Sequence, residues 1–331
     1  MKTLLKFSLF FLAACCFCLS SCKKESTTTT DNATVFNDGI KSLVNSNQPR
    51  KITTTISAGS GATLIGANTR FFFYPGAFKD ANGNTVTGNV SIEIQEFYTK
   101  AQMILGNKLP MSTQGLLESR GEVYINATKN GQQLRLKPGY ATIEFEATAY
   151  NQPMALFTGT VTGDLNDVNW TQNMTIAPTN AFQGCSYDSV NPPVFIDSAA
   201  NASICDTLYT FPIDSFGWIN CDYFMRDNYG ALTNLTINVP SGYDNTNTKV
   251  YVVFTTINSV ASVYSYTNGA FLLSGGYQVP VGLQATIVAL AYNNGQWYSS
   301  FTPITITNNH VASLSFSATT ISGYVAQVST L

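Results

Sequence analysis

His310 is the single histidine among 331 residues, so a Ser/His/Asp or Cys/His nucleophile would have to be built around it. It lies in Thr307-Asn308-Asn309-His310, just before the strand-like run Val311 to Phe316, and no Gly-x-Ser-x-Gly elbow precedes it. A histidine in such a turn is read as solvated or hydrogen-bonded, not as a base. Carboxylate pairs are the other common route to acid/base work, and Glu93, Glu96, Glu144 and Glu146 are candidates for glycosidic cleavage. Glu144 and Glu146 share one strand face while Phe145 points to the core, which predicts a solvated face and no catalysis. Asp164, Asn166, Asp167 and Asn169 form an oxygen-rich loop. Val168 and Thr175 would fall at the fifth and twelfth positions of an EF-type loop, so that calcium cage fails. Tyr292, Trp297, Tyr298 and Phe301 flank an Asn-Gly turn, where flat rings either stack on sugars or pack a hairpin. No catalytic residue, metal site or cofactor is expected.

Composition narrows the classes further. Lys plus Arg number 17 and Asp plus Glu 19, and charged residues are 11% of the chain, against roughly 25% in an average domain. Hydrophobic residues at 44% and aromatics at 12% are enough to bury a core. The shortage of charged i,i+4 pairs argues against a helical protein, and a net charge of −2 argues against nucleic acid as a partner. The charges are unevenly placed. Up to Lys137 there are 15 basic and 8 acidic residues, a balance of +7; beyond it 2 basic and 11 acidic residues give −9. A basic side near anionic lipid and an acidic distal side fit a tethered molecule.

The amino terminus supplies the tether. Lys2 and Lys6 precede an apolar run from Phe7 to Leu19, too short to span a bilayer as a helix, so residues 1–21 read as a signal peptide. Leu19-Ser20-Ser21-Cys22 resembles the lipobox of bacterial lipoproteins, which implies acylation of Cys22 and outer-membrane lipid as a partner. Lys23-Lys24-Glu25 partly resembles the export signal of Bacteroidota surface lipoproteins, which implies the outward face over the periplasmic one. Residues 22–50 contain the Thr27 to Thr30 run and read as a flexible tether, in which Phe36, Ile40, Leu43 and Val44 suggest one helical turn. Of seven cysteines, Cys185, Cys205 and Cys221 remain in the oxidising body. Cys185 to Cys205 is the expected bridge, with Cys205 to Cys221 the alternative.

The body reads as all-β. Asn82-Gly83, Asn130-Gly131, Asn268-Gly269 and Asn294-Gly295 sit between strand-like runs, and alternation in Val90 to Gln95 and Thr142 to Ala147 suits half-buried antiparallel strands. Two β-sandwich-like domains are expected, at residues 51–178 and 216–331, with a turn-rich linker at 179–215. In the linker, Asp188-Ser189-Val190, Asp197-Ser198-Ala199 and Asp206-Thr207-Leu208 resemble a Bacteroidota O-glycosylation sequon, which would modify Ser189, Ser198 and Thr207; each is equally an Asx-turn former.

Two resemblances bear on function. Gly59 to Leu64, Phe71-Phe72-Phe73-Tyr74-Pro75-Gly76-Ala77-Phe78, Leu117 to Val123 and Leu134 to Gly139 together resemble the ZU-five β-domain of ankyrins and netrin receptors. The His-Phe-Ser step at which some relatives cleave themselves is absent, so the resemblance implies scaffold and interaction. Phe216 to Phe224, with Gly217-Trp218-Ile219-Asn220-Cys221-Asp222, is similar to a signature of uncharacterised Bacteroidota outer-membrane lipoproteins, and reads as a buried sandwich edge. The expectation is a non-enzymatic, lipid-anchored module that binds a glycan or protein. The alternatives are a glycan-capture lipoprotein beside an outer-membrane transporter, and a surface glycan hydrolase or peptidase.

Overall fold

The computed structural model describes residues 31–146, 154–175, 203–205 and 208–331. The signal peptide, Cys22, Cys185, Ser189, Ser198 and Thr207 lie outside the described residues. Asn32–Leu331 forms one compact unit, and its fold is all-β with a few short helices.

Alternation builds the first half. One sheet runs in the order Ile52–Ser57, Asn89–Phe97, Gly115–Lys129, Gly217–Phe224, Ala155–Thr162, Asp167–Thr175. A second runs Ser203–Cys205, Leu208–Pro212, Ala141–Glu146, Thr69–Phe73, Ala62–Ile65. Phe71, Ile92, Val123, Ile143, Phe211 and Ile219 pack in the core between them. The second half repeats the arrangement: Leu235, Ile237, Val252, Phe271 and Ile287 fill the space between a four-stranded and a five-stranded sheet. There Leu235–Asn238 pairs in parallel with His310–Ser313.

Gly217–Phe224, expected to open the second domain, is instead a central strand of the first sheet, between Gly115–Lys129 and Ala155–Thr162. Its composition explains the placement. Ile219, Cys221 and Tyr223 face the first core, while Trp218 and Phe224 face a separate cluster with Phe97, Phe157 and Trp170. A strand apolar on both faces belongs inside a sheet covered on both sides.

The expected tether is also ordered from Asn32 onward. α1 (Asn32–Ser46) places Phe36, Ile40, Leu43 and Val44 at helical spacing, and all four are buried. With α2 (Lys100–Gly106) and α4 (Ile321–Val328) it covers the outer face of the second-half sheet, against Tyr251, Val253, Val288 and Leu290. α3 (Met225–Asn228) is a single turn leading out of the first sheet. Thr99 caps α2 in a reciprocal box with Gln102, and Asn107 closes it in the left-handed region.

Asn-Gly turns behave as their chemistry requires at three sites. Asn130-Gly131, Asn268-Gly269 and Asn294-Gly295 all have positive φ at both residues. At Asn82-Gly83 only Gly83 does, and the Asp80 carboxylate accepts the Asn82 and Asn84 backbone N–H groups instead.

The halves are joined by more than chain connectivity. Asn258 donates from Nδ2 to the carbonyls of Tyr98 and Ser119, both at 3.1 Å, and its own carbonyl accepts the Ser119 N–H. Asn258→Ala strands two carbonyls of the first sheet, so an unfolding free energy lower by about 1–3 kcal/mol is expected. Denaturant titration of the variant checks this.

Candidate functional site

The Gly115–Lys129 strand carries Glu118-Ser119-Arg120-Gly121-Glu122, polar residues in an otherwise apolar strand. One extra residue is accommodated there: Asn220 pairs with Glu122, and Asp222 with Ser119. Gly121 makes this bulge feasible, because its φ is +140° and a Cβ would come within 2.2 Å of the Tyr98 ring. The bulge sets Ser119 and Glu122 on one face, opposite Asp222 and Asn220.

All four residues are buried. Ser119 Oγ donates to Asn220 Oδ1 at 2.9 Å, and Asn220 Nδ2 donates to Asp222 Oδ2 at 2.5 Å. Among the described residues, neither Glu122 oxygen nor Asp222 Oδ1 has a hydrogen-bond partner. Burial pushes the Glu122 carboxyl up from 4.5 to about 8, with the Lys108 ammonium opposing it. Burial, then the neighbouring Glu122 charge, drives Asp222 well above the carboxylate range. On the other face Glu118 accepts hydrogen bonds from Tyr223 and Tyr229.

Above this cluster the surface opens into two cavities that meet at Tyr124. One, of about 380 Å³, is lined by Gln48, Lys51, Gln95, Lys108, Tyr124 and Trp218 among others. The other, of about 470 Å³, includes Asn126, Gln133, Arg135, Asp214 and Phe216. Tyr124 and Trp218 lie with ring centroids 5.3 Å apart, the Lys51 ammonium stands 5.8 Å over Tyr124, and Lys108 stands 5.3 Å over Trp218. Lys108 is held by the carbonyls of Asn166 at 2.7 Å and Gly106 at 3.3 Å. The groove thus offers aromatic faces, side-chain amides and cations. Trp218, read from the sequence as packing, is 9% exposed and contributes a wall as well.

The other predicted residues are dispersed. Tyr292 and Trp297 are taken up beneath α1: Phe36 lies 6.0 Å from the Trp297 ring, and a Cβ on Gly39 would meet the indole at 2.3 Å. Both are partly buried, with part of each ring packed against the cluster under α1. Tyr298 sits on the opposite strand face, edge-on to Tyr243, which stacks on Phe316 at 4.2 Å. His310 accepts from the Thr307 N–H through Nδ1 at 3.2 Å, as a turn histidine should. Asp164 pairs with Lys41 at 3.7 Å, and among the described residues no cluster of His, Cys, Asp and Glu could hold a metal.

Glu144 corrects the expected solvated face. It is 7% exposed, opposite Arg70 on one neighbouring strand and Thr210 on the other, and Thr210 donates to its Oε1 at 3.4 Å. Glu96 accepts the backbone N–H groups of Ala67 and Asn68, and Glu93 pairs with Lys51 at 3.0 Å. Cys221 is a free, fully buried thiol. The β motif by itself does not reveal that these acids are buried. The signal lay in Glu-Ser-Arg-Gly-Glu, where charge and glycine interrupt an apolar strand.

No protein-family model and no curated protein matches the chain. Among solved structures it aligns with the crystal structure of Gamma-CGTase from alkalophilic Bacillus clarkii at 9% identity. That alignment covers 77% of this chain and 40% of that chain, with a TM-score of 0.19, so it spans well under half of that neighbour's length.

Proposed function

We propose that this chain is a lipid-anchored protein of the bacterial outer membrane, facing outward, whose β body binds a ligand and performs no chemistry. The observation that carries the binding role is the groove at Tyr124, where two aromatic rings, amides and cations share one concave surface. Grooves that combine apolar walls with a few convergent polar groups are the usual form of binding sites. The absence of catalysis is supported by what engages the acids: Glu122 and Asp222 are sealed from water, and Glu93, Glu96 and Glu118 are committed to Lys51, backbone N–H groups and tyrosines. The resemblance of residues 51–178 to ankyrin and netrin-receptor β-domains points the same way, toward interaction.

The anchor rests on Leu19-Ser20-Ser21-Cys22. Cells expressing the full chain should incorporate labelled palmitate into it, and Cys22→Ser should abolish the label; label that survives would overturn the anchor. Protease added to intact cells should digest the protein, whereas full protection would place it on the periplasmic face. Binding is tested with the soluble Cys22→Ser chain lacking residues 1–21 on glycan and host-protein arrays. A ligand whose binding falls about tenfold or more in Tyr124→Ala is the expected result. Binding indifferent to Tyr124, or turnover of an array component, would sink the reading.

A further inference from the structure

Among the described residues, Tyr264 is the one aromatic counted with the exposed large hydrophobic side chains, at 57%. It stands where the chain crosses from Val260–Ser262 in one sheet of the second half to Ser265–Thr267 in the other. The preceding Val263 N–H is fixed to the Val250 carbonyl at 2.9 Å. Beneath the ring lies Lys249, whose ammonium is 5.4 Å from the Tyr264 centroid, 5.7 Å from Tyr251 and 3.5 Å from Asn107 Oδ1. The ring is thus backed by a cation on the protein side and turned to water on the other.

Two adjoining clefts of about 340 and 310 Å³ share Tyr264, Tyr277 and Met111. The first half supplies the facing wall with Ser112, Thr113, Asp167 and Asn169. Those groups are oriented: Asn169 Oδ1 accepts the Thr113 N–H at 3.2 Å, and Asp167 Oδ1 accepts from Asn107 Nδ2 at 2.6 Å. No Lys or Arg lines either cleft, so an anionic ligand would find no counter-charge there. The lining is mixed: Met111, Val168, Leu272, Leu273 and the two tyrosines supply apolar walls, and Ser112, Thr113, Asp167 and Asn169 gather polar groups along one side.

We propose that this seam cleft binds a neutral oligosaccharide, the apolar face of one pyranose ring lying on Tyr264 and its hydroxyls reaching Asp167 and Asn169. A sugar ring suits the site because it is flat and apolar on one face and ringed by hydroxyls at its edge, which is the complement of an exposed tyrosine beside an acid and an amide. The inference rests on the reading of the chain as a binding protein but concerns a site separate from the Tyr124 groove. It would make the chain a glycan-capture protein, with Met111 to Thr113 and the Asp167 turn closing on the sugar from the opposite side.

The test uses the soluble Cys22→Ser chain lacking residues 1–21, titrated calorimetrically with maltohexaose, cellohexaose, xylohexaose and mannohexaose. At least one should bind. Tyr264→Ala should weaken it about tenfold or more while Tyr264→Phe, which keeps the plane, should stay near wild type. Tyr264→Ala removes an exposed side chain, so its unfolding midpoint should match wild type and separates lost binding from lost folding. Tyr124→Ala should leave this affinity unchanged. If no hexasaccharide binds, or if binding survives Tyr264→Ala and falls in Tyr124→Ala, the seam-cleft proposal is overturned while the Tyr124 groove stands. A Tyr264-dependent peptide or protein ligand without sugar binding would overturn the sugar assignment.

Discussion

Raising the pH from about 4.5 to 9 should destabilise the protein, and Glu122→Gln should remove most of that loss. The Glu122 carboxyl is held neutral by burial in the folded chain, up from 4.5 to about 8. A group whose folded pKa is raised contributes stability that is complete below its unfolded value and disappears as pH rises through its folded value. The window is therefore about pH 4.5 to 8. A shift of that size corresponds to about 4–5 kcal/mol for this group, at about 1.4 kcal/mol per unit. Asp222 is shifted in the same direction, by burial first and by Glu122 second, and deepens the fall. Urea unfolding at steps between pH 5 and 9 checks the prediction. Wild type should lose several kcal/mol across the range, while Glu122→Gln should be flatter and the more stable protein at pH 9. Parallel curves for the two would show that Glu122 is not the buried acid responsible.

Phe36→Ala should lower the unfolding free energy by about 3–5 kcal/mol, the usual range for emptying a buried aromatic site. Phe36 is 4% exposed and packs on Trp297, with Ile40, Leu43 and Val44 continuing the contact along α1. Detaching the helix uncovers Tyr292 and Trp297, so tryptophan emission should shift to the red; Trp170 and Trp218 are buried elsewhere and report little of it. Gly39→Val gives an independent check, since a Cβ there would strike the indole at 2.3 Å. Limited proteolysis should cut both variants between residues 32 and 50 faster than wild type. If Phe36→Ala unfolds at the wild-type midpoint, the segment is the loose tether its composition suggests.

That contrast shows where sequence reasoning reached and where it stopped. Thr142 to Glu146 and Val90 to Gln95 were legible as strands because a period of two is a local property of the chain. The Asn-Gly hairpins were legible for the same reason, since the turn chemistry lies in the two residues themselves. The 36, 40, 43, 44 spacing was visible too, but its length was not. Fifteen residues with no acidic first turn and no basic last turn have little helical stability alone, and α1 persists through the face it buries. Glu144 fell on the wrong side of the prediction because alternation says which residues share a face, not whether that face is covered.

The candidate sites divide in the same way. Cys22 after an apolar run, the lone His310 and the low charge are properties of the chain that no folding could alter. The fold class was likewise local, being the sum of strand periodicity and turn chemistry. Tertiary structure alone decided that Gly217–Phe224 completes the first sheet, that Glu122 and Asp222 share a sealed face, and that Tyr292 and Trp297 are partly packed under α1 while Tyr264 is exposed. Each depends on contacts between residues separated by some 100 to 260 positions in sequence, such as Glu122 with Asn220 and Phe36 with Trp297. Such contacts are set by which apolar faces can be buried together, a property of the whole chain and not of any window within it.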